Sequence, residues 1–321
     1  MKFAHMGDCH LGGWRQPELM SLNMESFRFA VDAAIKEKVD FILVAGDLFD
    51  SAYPPVEIIK ETFREFKKIY DSNIPVFIIA GSHDYSVAGK SFLDVLEHAG
   101  FVKNVFQKEE RNGYIYLLPT LYKNVALYGY PGKKSGLEVG DIARIKLHET
   151  PGLFTILMLH TTLRDAIGTL PIAAVEHEKL PKVDYLALSH LHINYHRQNR
   201  VYSGPTFPNN SLELEELQGG SFYIVDTSGK VERREIKLRP VQLFDFTITS
   251  TIKAADIIKD ELKNHDLKGK IVIIRLSGTI EEGKLSDIHL SDIDAQAARQ
   301  GAFVVLKNLS KVQLRESIIP I

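Results

Sequence analysis

The stretch DFILVAGDLFD, residues 40–50, decides the fold: five apolar residues, a glycine, then two aspartates three apart. So short an apolar run, closed by glycine, reads as a strand buried on both faces. The pattern recurs in IPVFIIAGSHD, residues 74–84, and opens the chain in KFAHMGDCH, residues 2–10. Between these runs, residues 24–37 and 56–69 read as helices, the first with Phe27, Phe29, Ala30, Ala33, Ala34 and Ile35 near helical spacing. Strand alternating with helix predicts parallel strands joined by crossover helices.

Residues 91–98 begin a further helix. The middle of the chain changes character. Residues 114–118, 125–130, 154–159, 184–188, 200–202 and 221–225 read as strands with few helices between them, which predicts a second, more antiparallel sheet. The expected class is α/β: two sheets face to face, flanked by helices, over residues 1–239. Pro240 reads as a junction. Beyond it, strands at 241–247, 270–276 and 302–306 alternate with helices at 254–264 and 292–300, a small α+β domain over residues 240–321.

At 321 residues, one large and one small domain fit the length, and 45% hydrophobic with 25% charged residues is ordinary for a globular enzyme. A net charge of −2 argues against a module that lives by DNA binding alone. It leaves a nuclease open, because bound divalent ions add positive charge. With Cys9 the sole cysteine, no intramolecular disulfide forms. The opening residues lack the form of a secretory signal, and no run of 18 apolar residues occurs, so the expectation is an intracellular, cytoplasmic protein with no membrane span.

Five strands run into metal-type ligands: Asp8-Cys9-His10, Asp47 with Asp50, Ser82-His83-Asp84, His160, and His190-Leu191-His192. Ligands of such sheets sit beyond the carboxyl ends of the strands, so these groups converge. Taken singly, an aspartate there is usually a cap or turn residue, and a histidine usually packs. The conjunction points to a site. Carboxylates and imidazoles without a thiolate cluster suit Mn²⁺, Fe²⁺ or Zn²⁺ better than Ca²⁺. Two such ions about 3.5–4 Å apart clamp a phosphodiester, and a carboxylate such as Asp47 can bridge them.

Asp8-x-His10, Gly46-Asp47-x-x-Asp50, Gly81-Ser82-His83-Asp84, His160 and His190-x-His192 resemble, in order and spacing, the signature of calcineurin-like metallophosphoesterases. Gly46-Asp47-Leu48-Phe49 followed by Pro54-Pro55, and Tyr202-Ser203-Gly204, resemble the SbcD nuclease branch, called Mre-eleven in archaea and eukaryotes. The likeness runs from Met1 to about Leu238, and the C-terminal unit matches that branch's capping domain in position and size. It implies an exonuclease and endonuclease of double-strand-break repair with two Mn²⁺ per chain. Asp8, His10, Asp47 and His192 would hold one ion; Asp47, Ser82, His160 and His190 the other. His83 would act on the scissile phosphate, with Asp84 orienting its ring. Implied partners are DNA, a second copy, and an ABC-type ATPase (SbcC or Rad-fifty) docked on a helical segment beyond the capping domain, none of which is read before Ile321. Two residues depart from the pattern: Ser82 stands where the family has Asn, and Ser189 where it usually has Gly.

Weaker signals remain. Residues 132–136, with Lys133 and Lys134, and separately Arg15, are candidate phosphate contacts; Trp14 either stacks on a base or packs. Val56, Ile59, Phe63, Phe66 and Ile69, with Phe92, Leu93, Val95 and Leu96, exceed what one core needs and match helices that form the family's dimer contact. Two alternatives stand beside the nuclease: a metallophosphoesterase acting on small phosphoesters or nucleotides, and a DNA-end-binding scaffold whose metal site Ser82 has weakened.

Overall fold

A computed structural model describes residues 1–85 and 91–314. The chain divides into two compact units, Met1–Asn209 with Gly219–Ile236, and Asn210–Gln218 with Lys237 onward.

The first unit is built on two six-stranded sheets. In the first, Lys2–Met6 lies parallel to Phe41–Val44, which lies parallel to Val76–Ile78. Parallel neighbours require crossovers, supplied here by the helices Pro17–Lys36 and Val56–Asp71, which meet through Phe27 and Phe66. The first helix starts seven residues before the expected 24, because Pro17 sits at its opening turn, where proline's fixed φ and missing N–H cost nothing. Gly220–Asp226 returns antiparallel beside Lys2–Met6, and Val231–Ile236 pairs with it in turn.

The second sheet corrects an expectation. Its four inner strands, Val125–Tyr130, Phe154–His160, Tyr185–Ser189 and Arg200–Tyr202, are mutually parallel; only the edge strands Thr120–Tyr122 and Tyr195–Arg197 run antiparallel. The crossovers are irregular segments carrying only short helices such as Glu138–Ile142 and Arg164–Ile167. The absence of long amphipathic helices between these strands is what suggested a more antiparallel sheet.

Alternation along each strand makes the core. Phe3, Phe41, Leu43 and Phe77 meet Leu127, Ile156, Met158, Tyr185 and Val201 between the two sheets. On the second sheet's other face, Ala126, Tyr128, Leu157, Leu159 and Leu188 pack with Ile115 and Leu117 of a small three-stranded sheet. Burial on both faces explains the unbroken apolar runs.

In the second unit, Val241–Thr247, Ile271–Ile280 and Val304–Leu314 form a parallel sheet with Ile271–Ile280 central. Helices Ala254–Lys263 and Leu290–Arg299 bury Ile258, Leu262, Ile293 and Ala297 in its core with Val272 and Ile274.

Candidate metal centre

The strands Lys2–Met6, Phe41–Val44, Val76–Ile78, Phe154–His160 and Tyr185–Ser189 all deliver their carboxyl ends to one place. The chain breaks sharply there. Asp8, His10, Asp47 and His190 have φ of 49°, 42°, 48° and 97°, a region that non-glycine residues rarely occupy. Four such backbones among the ligand-type residues mark a site whose geometry the surrounding structure enforces.

Asp47 is the hub. Its Oδ1 accepts the His83 backbone N–H at 2.8 Å, and its Oδ2 lies 3.1 Å from His160 Nε2 and 3.7 Å from His10 Nε2. The Ser82 hydroxyl donates a long 3.4 Å bond to the same Oδ2. A Cβ on Gly81 would fall 2.1 Å from Asp47 Oδ1, so that position has room only for glycine. Burial disfavours charge on Asp47, yet the His160 and His10 rings outweigh it and hold the carboxyl far below its usual range.

Asp8 is fully buried and accepts the His190 N–H on both oxygens at 3.0 Å. His10 Nδ1 bonds Asp50 Oδ1 at 3.1 Å, which turns its Nε2 to within 3.0 Å of His192 Nε2. His160 is fully buried; its Nδ1 lies 2.7 Å from the Ser189 hydroxyl, and its Nε2 has no aligned hydrogen bond. Burial lowers its pKa, but the Asp47 charge overrides this and raises it to about 9. His190 stands beside it, ring centroids 5.0 Å apart, and is pushed down to about 4 by burial and then by the His160 charge.

Asp84 belongs elsewhere than expected. Its buried carboxylate accepts backbone N–H groups from Gly81, Leu48 and Phe49 at 2.8, 3.4 and 3.1 Å, so it ties two site loops together and does not orient the His83 ring. Burial, then the Asp47 charge, raises it to about 6. His83 Nδ1 donates instead to the Asp50 carbonyl at 2.8 Å. A carbonyl only accepts, so Nδ1 carries a proton. The side chain is 46% exposed, whereas His10 and His160 are buried.

Asp50 therefore serves two histidines, a role not read from the sequence, although its spacing from Asp47 was visible. It is held below the usual carboxylate range chiefly by the His10 hydrogen bond. Ser189, a departure from the family's usual Gly, stands against His160. Trp14 packs, donating to the Pro208 carbonyl at 2.8 Å, and Arg15 is exposed. Gly132 abuts His160, while Lys133 pairs with Asp141.

Three ligand groups each lie within a 4.8 Å compass: Asp8, His10 and His192; Asp8, Asp47 and His160; and His10, Asp50 and His83. The donors fit divalent cations. Two imidazole nitrogens facing each other at 3.0 Å can share one proton or a cation. His160 Nε2, buried against the Asp47 carboxylate without an aligned hydrogen bond, is a polar atom that a cation would satisfy. Cys9 is no competitor, since burial raises its thiol well above the usual range.

A two-sheet sandwich with such a centre defines a metal-dependent phosphoesterase, and the chain belongs to the calcineurin-like phosphoesterase family, whose profile matches residues 1–194. The family uses divalent metals. Among its relatives, the chain is 31% identical to the DNA double-strand break repair protein Mre11 of Methanocaldococcus jannaschii, over 74% of this chain and 68% of that protein. It is 27% identical to the Mre11 of Sulfolobus acidocaldarius, over 87% of this chain and 76% of the other. It is 26% identical to the uncharacterized metallophosphoesterase YhaO of Bacillus subtilis, over 95% of this chain and 80% of YhaO. Among the described residues, no helix is long and apolar enough to cross a membrane.

Proposed function

We propose that this protein is a Mn²⁺-dependent DNA phosphodiesterase of double-strand-break repair, acting as exonuclease and endonuclease. The observation that carries the reading is the convergence on Asp47 Oδ2 of His160 and His10, with His192 facing His10. Its support for DNA as substrate is the likeness to Mre11 proteins. Asp8, His10 and His192 would hold one ion and Ser82, His160 and His190 the other, with Asp47 placed to serve both. Two ions in such a centre activate water and neutralise charge on the phosphoryl oxygens. His83, its Nδ1 proton fixed on the Asp50 carbonyl, is an exposed side chain whose Nε2 is left for the substrate. Protonated there, it donates to the phosphate or the leaving oxygen. Asp84 is a positioning residue that holds the Asp47 and Ser82 loops in register.

The protein acts inside the cell, and its second unit, Asn210–Gln218 with Lys237 onward, is a capping domain. A Rad-fifty-type ATPase is its partner on DNA. Phe66, Ile69, Leu93 and Leu96 are taken up by the core, whereas Val56 and Val95 are 75% and 47% exposed, which supports a homodimer contact through these helices. Light scattering at micromolar concentration tests the dimer, and a monomer there removes it. The substrate reading is tested by hydrolysis of plasmid and hairpin DNA against p-nitrophenyl phosphate esters, with Asp47→Asn as control. Ester hydrolysis without DNA cleavage selects the small-phosphoester alternative; Mn²⁺-independent DNA binding without hydrolysis selects the scaffold.

A further inference from the structure

Ser189 ends the strand Tyr185–Ser189, fully buried, one residue before His190. Its Cβ would lie 2.7 Å from any Cβ at position 7, so the hydroxymethyl group occupies space that Gly7 leaves open. The hydroxyl makes two bonds. It donates to the Ala45 carbonyl at the end of the neighbouring sheet, and it lies 2.7 Å from His160 Nδ1. The carbonyl has no proton to give, so the hydroxyl proton goes to it, and the oxygen is left to accept from the ring. His160 Nδ1 must then carry hydrogen, and Nε2 is the atom turned toward Asp47.

We propose that Ser189 is a positioning residue of the metal centre: it fastens the His160 ring to Ala45 and so fixes Nε2 at the point where a cation is held. The inference rests on His160 being a metal ligand. Partners on the far nitrogen of a ligating histidine orient the ring and tune its affinity, commonly by 10–100-fold. Ala45 O lies 3.3 Å from His160 Nδ1 and can take over part of the role, which sets the expectation at the lower end.

The test uses Ser189→Ala and Ser189→Gly with two readouts. One is the His160 ring Nδ1–H resonance in metal-free, ¹⁵N-histidine-labelled protein, assigned through His160→Gln. The other is Mn²⁺ binding, followed by the electron paramagnetic resonance of free ion. The expected result is a shifted, faster-exchanging ring proton and Mn²⁺ affinity about 10-fold weaker at one of the sites. Unchanged affinity overturns the proposal. Weakened affinity with an unmoved ring signal also overturns it, since the effect is then general loosening. The control separates the two readings: if His160→Gln leaves Mn²⁺ binding intact, the metal assignment itself fails.

Discussion

Removing the Asp50 side chain should weaken metal binding while leaving turnover at saturating metal nearly intact. Asp50 Oδ1 holds His10 Nδ1 at 3.1 Å and Asn209 Nδ2 at 3.2 Å, whereas His83 is held by the Asp50 carbonyl, which any substitution keeps. A hydrogen bond to a charged group contributes about 1.5–3 kcal/mol, about 10- to 150-fold in an equilibrium. The Asp50 side chain is 31% exposed, so water replaces part of what is lost and the lower end applies. Asp50→Ala should therefore weaken Mn²⁺ binding at the site holding His10 by about 10-fold. Asp50→Asn keeps an acceptor oxygen without charge, so about half the free energy, or about 3-fold, should go. Nuclease rate measured across a Mn²⁺ titration reports both quantities. A rate depressed at saturating Mn²⁺ with unchanged midpoint would refute the reasoning and assign Asp50 to His83 instead.

Further outcomes follow from the same geometry. His83→Ala should keep metal and DNA binding yet lose on the order of 10²-fold in turnover, and loss of bound Mn²⁺ in that variant would show its role to be wrong. Ser82→Asn should raise activity at limiting Mn²⁺ with little change at saturation, because the Ser82 hydroxyl now leans on Asp47; identical titration curves would mean that residue 82 is no ligand. In metal-free protein, the His160 pKa is raised from 6.5 to about 9, so its contribution to stability is full below about 6.5 and is lost as pH rises through about 9. Melting temperature after chelation should accordingly fall over that range, and bound metal, which takes the neutral ring, should flatten the fall; an equal slope with and without metal would count against His160 as ligand.

Much of this was legible in the sequence because both sheets announce themselves locally. Phe41–Val44 and Val125–Tyr130 fall where the apolar runs put them, since side chains buried on both faces leave no charged interruption. Strand direction in the second sheet was not legible. Direction depends on the crossover, and irregular crossovers carry no period to read. The ligand-type residues were visible from their place at the ends of apolar strands, a local feature. The groups behind them were not. Asp50 reaches His10 across 40 residues and Ser189 reaches Ala45 across 144, distances at which only the folded register makes partners. Asp84 misled for the opposite reason: it stands next to His83 in sequence, yet its side chain turns inward to the backbone of Leu48 and Phe49.

The proposed function makes Asp47 the organiser of a pair of metal ions that hydrolyse DNA. It is tested most directly by following cleavage of an end-labelled hairpin duplex by chelator-stripped protein as Mn²⁺ is added, with bound ions counted in the same samples. Cleavage should be absent without metal and rise to its plateau as the second ion per chain binds, and Asp47→Asn should show neither. Intact DNA beside Mn²⁺-restored hydrolysis of a p-nitrophenyl ester, or full DNA cleavage with one ion bound, would contradict it.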